Sequence, residues 1–215
     1  MKIFLDTANI QSIKKYNDMG MVDGITTNPS LLSKENENPE QVMKTIVDMI
    51  NGPVNLEVIG MKSDEMINEA YELLKYGKNV VIKIPMIGEG LMAVKKLSDE
   101  GIDTNVTLVF SANQAILAAK AGAKYVSPFI GRLDDAGHDG MNVIKDIVQI
   151  FKNYKFKTNV LVASIRHPVH VIEAGIIGAD VVTLPPDILE KMIHHPLTDK
   201  GLDTFLSDWK KINRL

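Results

Sequence analysis

Cysteine is absent from all 215 residues. No disulfide, zinc–thiolate or iron–sulfur site can form, and no thiol can act as a nucleophile. An excess of one charge is also missing. Lys and Arg number 24 against 27 Asp and Glu, well mixed, for a net charge of -3. That argues against nucleic acid or an anionic membrane as the main partner, though not against a local phosphate site. No apolar run is long enough to span a bilayer. Met1-Lys2-Ile3-Phe4-Leu5 meets a carboxylate at Asp6, too early for a signal peptide. The expected compartment is therefore the cytoplasm. No glycine precedes Gly20, so the first β-rich run enters Asp6-Thr7-Ala8-Asn9 without the glycine-rich turn of a dinucleotide site. No linker or low-complexity stretch divides the chain, and one domain over 1–215 is expected.

What is present is alternation. Short β-rich runs fall at Lys2–Asp6, Val22–Thr27, Val54–Val58, Asn79–Ile84, Ile102–Leu108, Tyr125–Pro128, Asn159–Ser164 and Asp180–Leu184. Helical patterns fill the gaps. Asn38-Pro39-Glu40-Gln41 reads as a helix start, with Asn at the cap, Pro first and Gln reaching back. Val42, Ile46, Met49 and Ile50 supply its apolar stripe. Met66, Ile67, Ala70, Leu73 and Leu74 form another, and Ile144, Ile147, Val148 and Phe151 a third. Ser111-Ala112-Asn113-Gln114 repeats the cap pattern ahead of Ile116, Leu117 and Ala119. About eight βα units predict a (β/α)8 barrel, with an open doubly wound sheet as the alternative. Leu202, Phe205, Leu206, Trp209 and Ile212 add a C-terminal helix over about 198–212. Such a helix docks either on its own barrel or on a neighbouring subunit.

One lysine falls where a strand should tolerate no charge. Lys83 lies in Val80-Val81-Ile82-Lys83-Ile84-Pro85, an apolar β-branched run that reads as a strand buried on both faces. Burial disfavours the ammonium, and a neutral amine attacks carbonyls to give a Schiff base. The competing reading is a strand-end lysine that snorkels to water or pairs with a carboxylate. Other polar residues recur at strand ends with matched parity: Thr26 with Asn28, Asn55 with Glu57, Asn105 with Thr107, and Ser164 with Arg166. Asp6 and Ser127 also stand at strand ends. With Lys83 pointing inward, these residues form a ring at the C-terminal mouth of a barrel, where this fold does its chemistry. Asp6 and Glu57 are the acid–base candidates. Arg132 and Arg166 follow the sixth and seventh strands, and a guanidinium fork suits a phosphate dianion. His194-His195 reads as a helix end and not as a metal pair, so no metal site is expected.

Several segments resemble the transaldolase family, in the short-chain branch that includes fructose-6-phosphate aldolases. They are Gly24-Ile25-Thr26-Thr27-Asn28-Pro29-Ser30-Leu31-Leu32, Val80 to Gly90, Asn105 to Ser111, Ser127-Pro128-Phe129-Ile130-Gly131-Arg132 and Ala163-Ser164-Ile165-Arg166. The resemblance implies a (β/α)8 barrel, a Schiff base on Lys83, and no cofactor. It implies Asp6 as the base for the hydroxyl at the broken C–C bond, with Glu57 and Thr107 around a catalytic water. It places Asn28 and Asn105 on hydroxyls of a three-carbon fragment, with Thr26 and Ser127 lining the pocket. It assigns Arg132, Ser164 and Arg166 to the sugar phosphate. It also implies a homo-oligomer, a pentamer or paired pentamers, joined through the last helix. Ile87 departs from the pattern, standing where the lysine segment usually has Ser or Thr.

The expected reaction is transfer of a dihydroxyacetone unit from a ketose phosphate to an aldose phosphate, a step of the pentose phosphate pathway. The alternative is an aldolase that releases free dihydroxyacetone. In the resembled family the aldolases carry Gln and Tyr where this chain has Glu57 and Phe129. Glu with Phe is similar to the transferase pair. A non-catalytic sugar-phosphate-binding barrel is a third reading, which predicts no covalent adduct.

Overall fold

The structure, a computed structural model, describes residues 1–212; the last three residues of the expected domain lie outside it. Eight parallel strands close into a barrel in chain order: β1 (Lys2–Asp6), β2 (Gly24–Thr26), β3 (Val54–Glu57), β4 (Val80–Pro85), β5 (Thr104–Val109), β6 (Tyr125–Pro128), β7 (Asn159–Val162) and β8 (Val181–Leu184). β8 pairs back onto β1. The helices are α1 (Ile10–Asp18), α2 (Pro29–Leu32), α3 (Pro39–Met49), α4 (Ser63–Leu74), α5 (Gly88–Asp99) and α6 (Ala112–Ala121). They continue with α7 (Ile130–Asp135), α8 (Gly140–Tyr154), α9 (Pro168–Ile177), α10 (Pro186–Ile193) and α11 (Pro196–Ile212). The expected (β/α)8 architecture with an added C-terminal helix is the one observed.

Two expected strands are shorter than their runs by two residues or more. β2 starts at Gly24 because Asp23 turns back on β1, accepting the Ile3 N–H with its carboxylate at 2.8 Å. β7 ends at Val162; Ala163 makes one further bridge to Phe129, and Ser164 takes φ 63°, a left-handed backbone that turns the chain away. Ser164 and Arg166 therefore sit on the loop after the strand.

The helix starts follow their caps. Asn38 caps α3, accepting from the Glu40 N–H at 2.8 Å. Ser111 caps α6 through the Gln114 N–H. The Gln114 side chain reaches one residue further back than expected and accepts the Phe110 N–H at 2.8 Å. Ile87 precedes α5 with no side-chain cap bond. The stripes of α3, α4 and α8 face the barrel through Val42, Ile46, Met66, Ala70, Ile144, Ile147 and Phe151. In α6 the expected stripe is displaced. Ala115 and Ala118 are buried and Leu117 is half exposed.

Inside the barrel, side chains alternate along each strand. Phe4, Val81, Tyr125, Leu161 and Val181 form a separate apolar cluster within it. Two residues further along four of those strands stand Asp6, Lys83, Ser127 and Thr183. The period-2 geometry thus stacks a polar layer on an apolar floor. α11 buries none of its side chains, and Leu197, Phe205, Leu206, Trp209 and Ile212 are all more than half exposed.

Candidate active site

The polar layer opens into a cavity of about 510 Å³ at the C-terminal ends of the strands. Lys83 is buried in it, and its Nζ lies 2.8 Å from Glu57 Oε2 and 3.0 Å from the Thr27 carbonyl oxygen. Glu57 and Lys83 are register partners across β3 and β4, so the contact is set by strand pairing. The two sequence readings of Lys83 meet here: the amine is buried, and it is also paired with a carboxylate.

Opposite this pair, the Thr26 hydroxyl donates to Asp6 Oδ1 at 2.7 Å. Thr26 Oγ1 also lies 2.6 Å from Thr183 Oγ1. Burial pushes the Asp6 carboxyl above the usual carboxylate range. The Lys83 ammonium, the Thr26 hydroxyl and the Lys34 ammonium act against that rise, in this order.

A buried hydrogen-bond chain runs beneath the cavity. Ser127 Oγ donates to Asn105 Oδ1 at 2.7 Å, Asn105 Nδ2 to Asn55 Oδ1 at 2.9 Å, and Asn55 Nδ2 to the Ile25 carbonyl at 2.9 Å. This chain fixes both amide orientations and ties four strands together. Thr107 lines the cavity, and its buried hydroxyl has no hydrogen-bond partner among the described residues. Such a group in a polar pocket is ready for a ligand or water. Asn28 lines the same space while its Oδ1 caps α2, accepting the Leu31 N–H at 2.9 Å.

The far wall comes from β6, α7 and the loop after β7. Phe129, Arg132, Ser164 and Arg166 line it. The Arg132 guanidinium stands over the Phe129 ring, 5.2 Å from its centroid. Arg166 Nη2 donates to Asp135 Oδ2 at 2.8 Å. Gly131 is required where these segments meet. A Cβ there would lie 2.2 Å from the Ser164 carbonyl oxygen and 2.6 Å from Arg166 Nε.

One cavity therefore gathers Asp6, Thr26, Asn28, Glu57, Lys83, Thr107, Ser127, Phe129, Arg132, Ser164 and Arg166. Asn105, expected on substrate hydroxyls, sits below its surface and bonds to Ser127 and Asn55. A buried lysine against a carboxylate, a second carboxylate across from it and two arginines at one rim match the ring expected from the motifs. The sequence matches the family described as Transaldolase/Fructose-6-phosphate aldolase over residues 3–215. The chain belongs to that family.

Relatives extend the match over the whole chain. A protein of Nitrosopumilus maritimus named "Probable transaldolase" is 64% identical over 213 residues, 99% of this chain and 96% of its own length. A "Probable transaldolase" of Moorella thermoacetica is 57% identical over 212 residues, covering 99% of both chains. One of Methanococcus maripaludis is 57% identical over 98% of both. These likenesses make the chain an enzyme of the aldolase and transaldolase kind.

Two cavity residues of this transaldolase-family chain escape a reading from motifs. Thr183 sits in Val181-Val182-Thr183-Leu184, and its signal was a lone hydroxyl two residues past an inward Val. Lys34 follows α2, is exposed at the rim and bears on Asp6. Only the folded loop brings it there.

Proposed function

We propose that the protein is a transaldolase that carries a dihydroxyacetone unit on Lys83 from a ketose phosphate to an aldose phosphate. The observation that carries this reading is the 2.8 Å pairing of the buried Lys83 amine with Glu57 in a cavity that Arg132 and Arg166 also line. Glu57 takes the ammonium proton, and the freed amine attacks C2 of fructose 6-phosphate. Proton transfer through Glu57 and a water on Thr107 lets the carbinolamine lose water, leaving an iminium. Asp6 removes the C4 hydroxyl proton. The C3–C4 bond breaks, its electrons enter the iminium, and glyceraldehyde 3-phosphate leaves. The remaining enamine attacks the aldehyde of a second aldose phosphate, and the steps reverse to free Lys83.

The other residues take positions in this scheme. Asn28 and Ser127 hold hydroxyls of the three-carbon unit, with Asn105 orienting Ser127 from below. Thr26, bonded to Asp6 and Thr183, sets the direction of the base. Arg132, Ser164 and Arg166 hold the phosphate. Burial raises the proton affinity of Asp6, which suits a group that must take up the C4 hydroxyl proton. The reaction belongs to the pentose phosphate pathway and to the cytoplasm. The exposed apolar face of α11 docks on a neighbouring copy in a pentamer or decamer.

Transfer is favoured over release of free dihydroxyacetone because Phe129 lines the cavity with a ring that has no hydroxyl to order a water at the enamine. The test is product analysis with fructose 6-phosphate alone and with added erythrose 4-phosphate. The transferase forms sedoheptulose 7-phosphate and depends on the acceptor. Rapid formation of free dihydroxyacetone without acceptor would make the protein an aldolase.

A further inference from the structure

His170 is a buried histidine of α9 that lies outside the cavity lining and takes no part in the steps above. Its Nδ1 accepts the Arg166 backbone N–H at 3.3 Å. Its Nε2 lies 3.2 Å from Asp134 Oδ2. The second Asp134 oxygen accepts the Gly140 N–H at 2.9 Å, which fixes the carboxylate at the α7–α8 junction. A nitrogen that accepts a hydrogen bond must carry its lone pair, so the ring proton belongs on Nε2 and points at Asp134.

The imidazole thus joins two segments. One carries Arg166 after β7; the other, α7, carries Arg132 two residues before Asp134. These segments touch at other points: the Ile130 N–H meets the Ala163 carbonyl and the Gly131 N–H the Ser164 carbonyl, each at 3.1 Å. Those bonds hold the start of α7 but leave its far end to Asp134 and Asp135. The Arg166 side chain meets Asp135 at 52% exposure, where solvent weakens an ion pair. The buried link at that end is His170.

We propose that His170, as the neutral Nε2–H tautomer, is a positioning residue that locks the Arg166 backbone to α7 and so holds the two cavity arginines at the spacing a phosphate needs. This rests on the reading above that Arg132 and Arg166 bind the substrate phosphate. Protonation at Nδ1 sets a donor against the Arg166 N–H and breaks the link. Burial and the His167 ring, centroids 3.7 Å apart, hold the imidazole below its ordinary range. Asp134 on α7 and Glu173 on α9 act against them. The neighbouring Arg166 guanidinium is paired with Asp135. The link is therefore intact near neutral pH and lost on acidification.

The test measures competitive inhibition by inorganic sulfate, whose charge is constant across the pH range, together with KM for fructose 6-phosphate. His170→Leu keeps bulk and loses both hydrogen bonds. It is expected to weaken sulfate inhibition and raise KM roughly tenfold, with a smaller fall in kcat, the size of one lost hydrogen bond. His170→Gln, which accepts and donates, is expected to restore most of that loss. Wild-type sulfate inhibition is expected to weaken as pH falls below the ordinary His range, and that of His170→Gln to weaken less. Equal loss in the Gln and Leu variants, or identical pH profiles for wild type and Gln, overturns the assignment. The second comparison stands even where the Leu variant fails to fold. Arg166→Ala separates the two readings. If it leaves sulfate inhibition unchanged, the phosphate reading falls and this proposal with it. If it weakens inhibition while His170→Leu does not, only the role of His170 falls.

Discussion

Lys83 and Glu57 face each other across paired strands with 2.8 Å between Nζ and Oε2. The pairing explains how a charge is tolerated in a strand whose other residues are apolar. It also puts a proton acceptor on the amine that the proposed chemistry must deprotonate. The lysine is therefore a structural partner of Glu57 and, in the proposed chemistry, the nucleophile.

The pair predicts a stability effect of its own. Lys83→Met keeps the volume but leaves the Glu57 carboxylate, with 15% of its side chain exposed, without a counter-charge. Turnover is expected to vanish, and stability at pH 7 to fall by about 1–3 kcal/mol. Adding Glu57→Gln is expected to recover most of the loss, as read by urea denaturation. Unchanged stability in the single variant would show that the pair contributes little to the fold.

Asp6 predicts the opposite sign. Its folded-state pKa is raised by burial, so the native state holds a proton over a range where the unfolded chain has released it. The stability it contributes is full below the unfolded value near 3.8 and is lost as pH rises through the folded value. Asp6→Asn is uncharged and escapes that loss. It is expected to melt above wild type at pH 7, with the gap closing toward pH 4, and to lose roughly 10²–10⁴ in kcat. A variant that melts below wild type at every pH would contradict the assignment of burial as the dominant cause.

Much of this architecture is legible in the amino-acid sequence. Strand–helix alternation predicts a barrel, and inward parity brings Asp6, Glu57, Lys83, Thr107 and Ser127 to one mouth. The failures are local. Ser164 reads as strand in an apolar run, but its backbone is left-handed and its carbonyl accepts the Gly131 N–H, a long-range contact. The partners of Asn105 are not legible either: Ser127 donates to its Oδ1, and its Nδ2 donates to Asn55 Oδ1. The α6 stripe shifts to Ala115 and Ala118, which take the buried face while Leu117 is half exposed. Lys34 and His170 carry no periodic or motif signal, since their relation to the site is set by loops.

Phe129 predicts the balance between transfer and release. Phe129→Tyr adds a hydroxyl beside the cavity that can order water at the enamine. Release of free dihydroxyacetone from fructose 6-phosphate is expected to rise while transfer falls. A coupled assay for dihydroxyacetone with and without acceptor reads both. No change in the release-to-transfer ratio would remove Phe129 as the determinant.

α11 predicts an assembly. Phe205, Leu206 and Trp209 are 72%, 59% and 62% exposed on one helix. Phe205→Asp combined with Trp209→Asp is expected to convert an oligomer into smaller species by sedimentation, without loss of helical signal. A wild type that sediments as a monomer would leave the apolar face without the neighbour proposed for it.

The central claim is a covalent bond between Lys83 and the substrate, and borohydride trapping tests it most directly. Wild type incubated with fructose 6-phosphate and borohydride is expected to gain one reduced adduct by intact mass. Peptide mapping is expected to place it on Lys83, with none formed in Lys83→Met. No adduct, or an adduct on Lys95 or Lys96 in place of Lys83, would contradict the account.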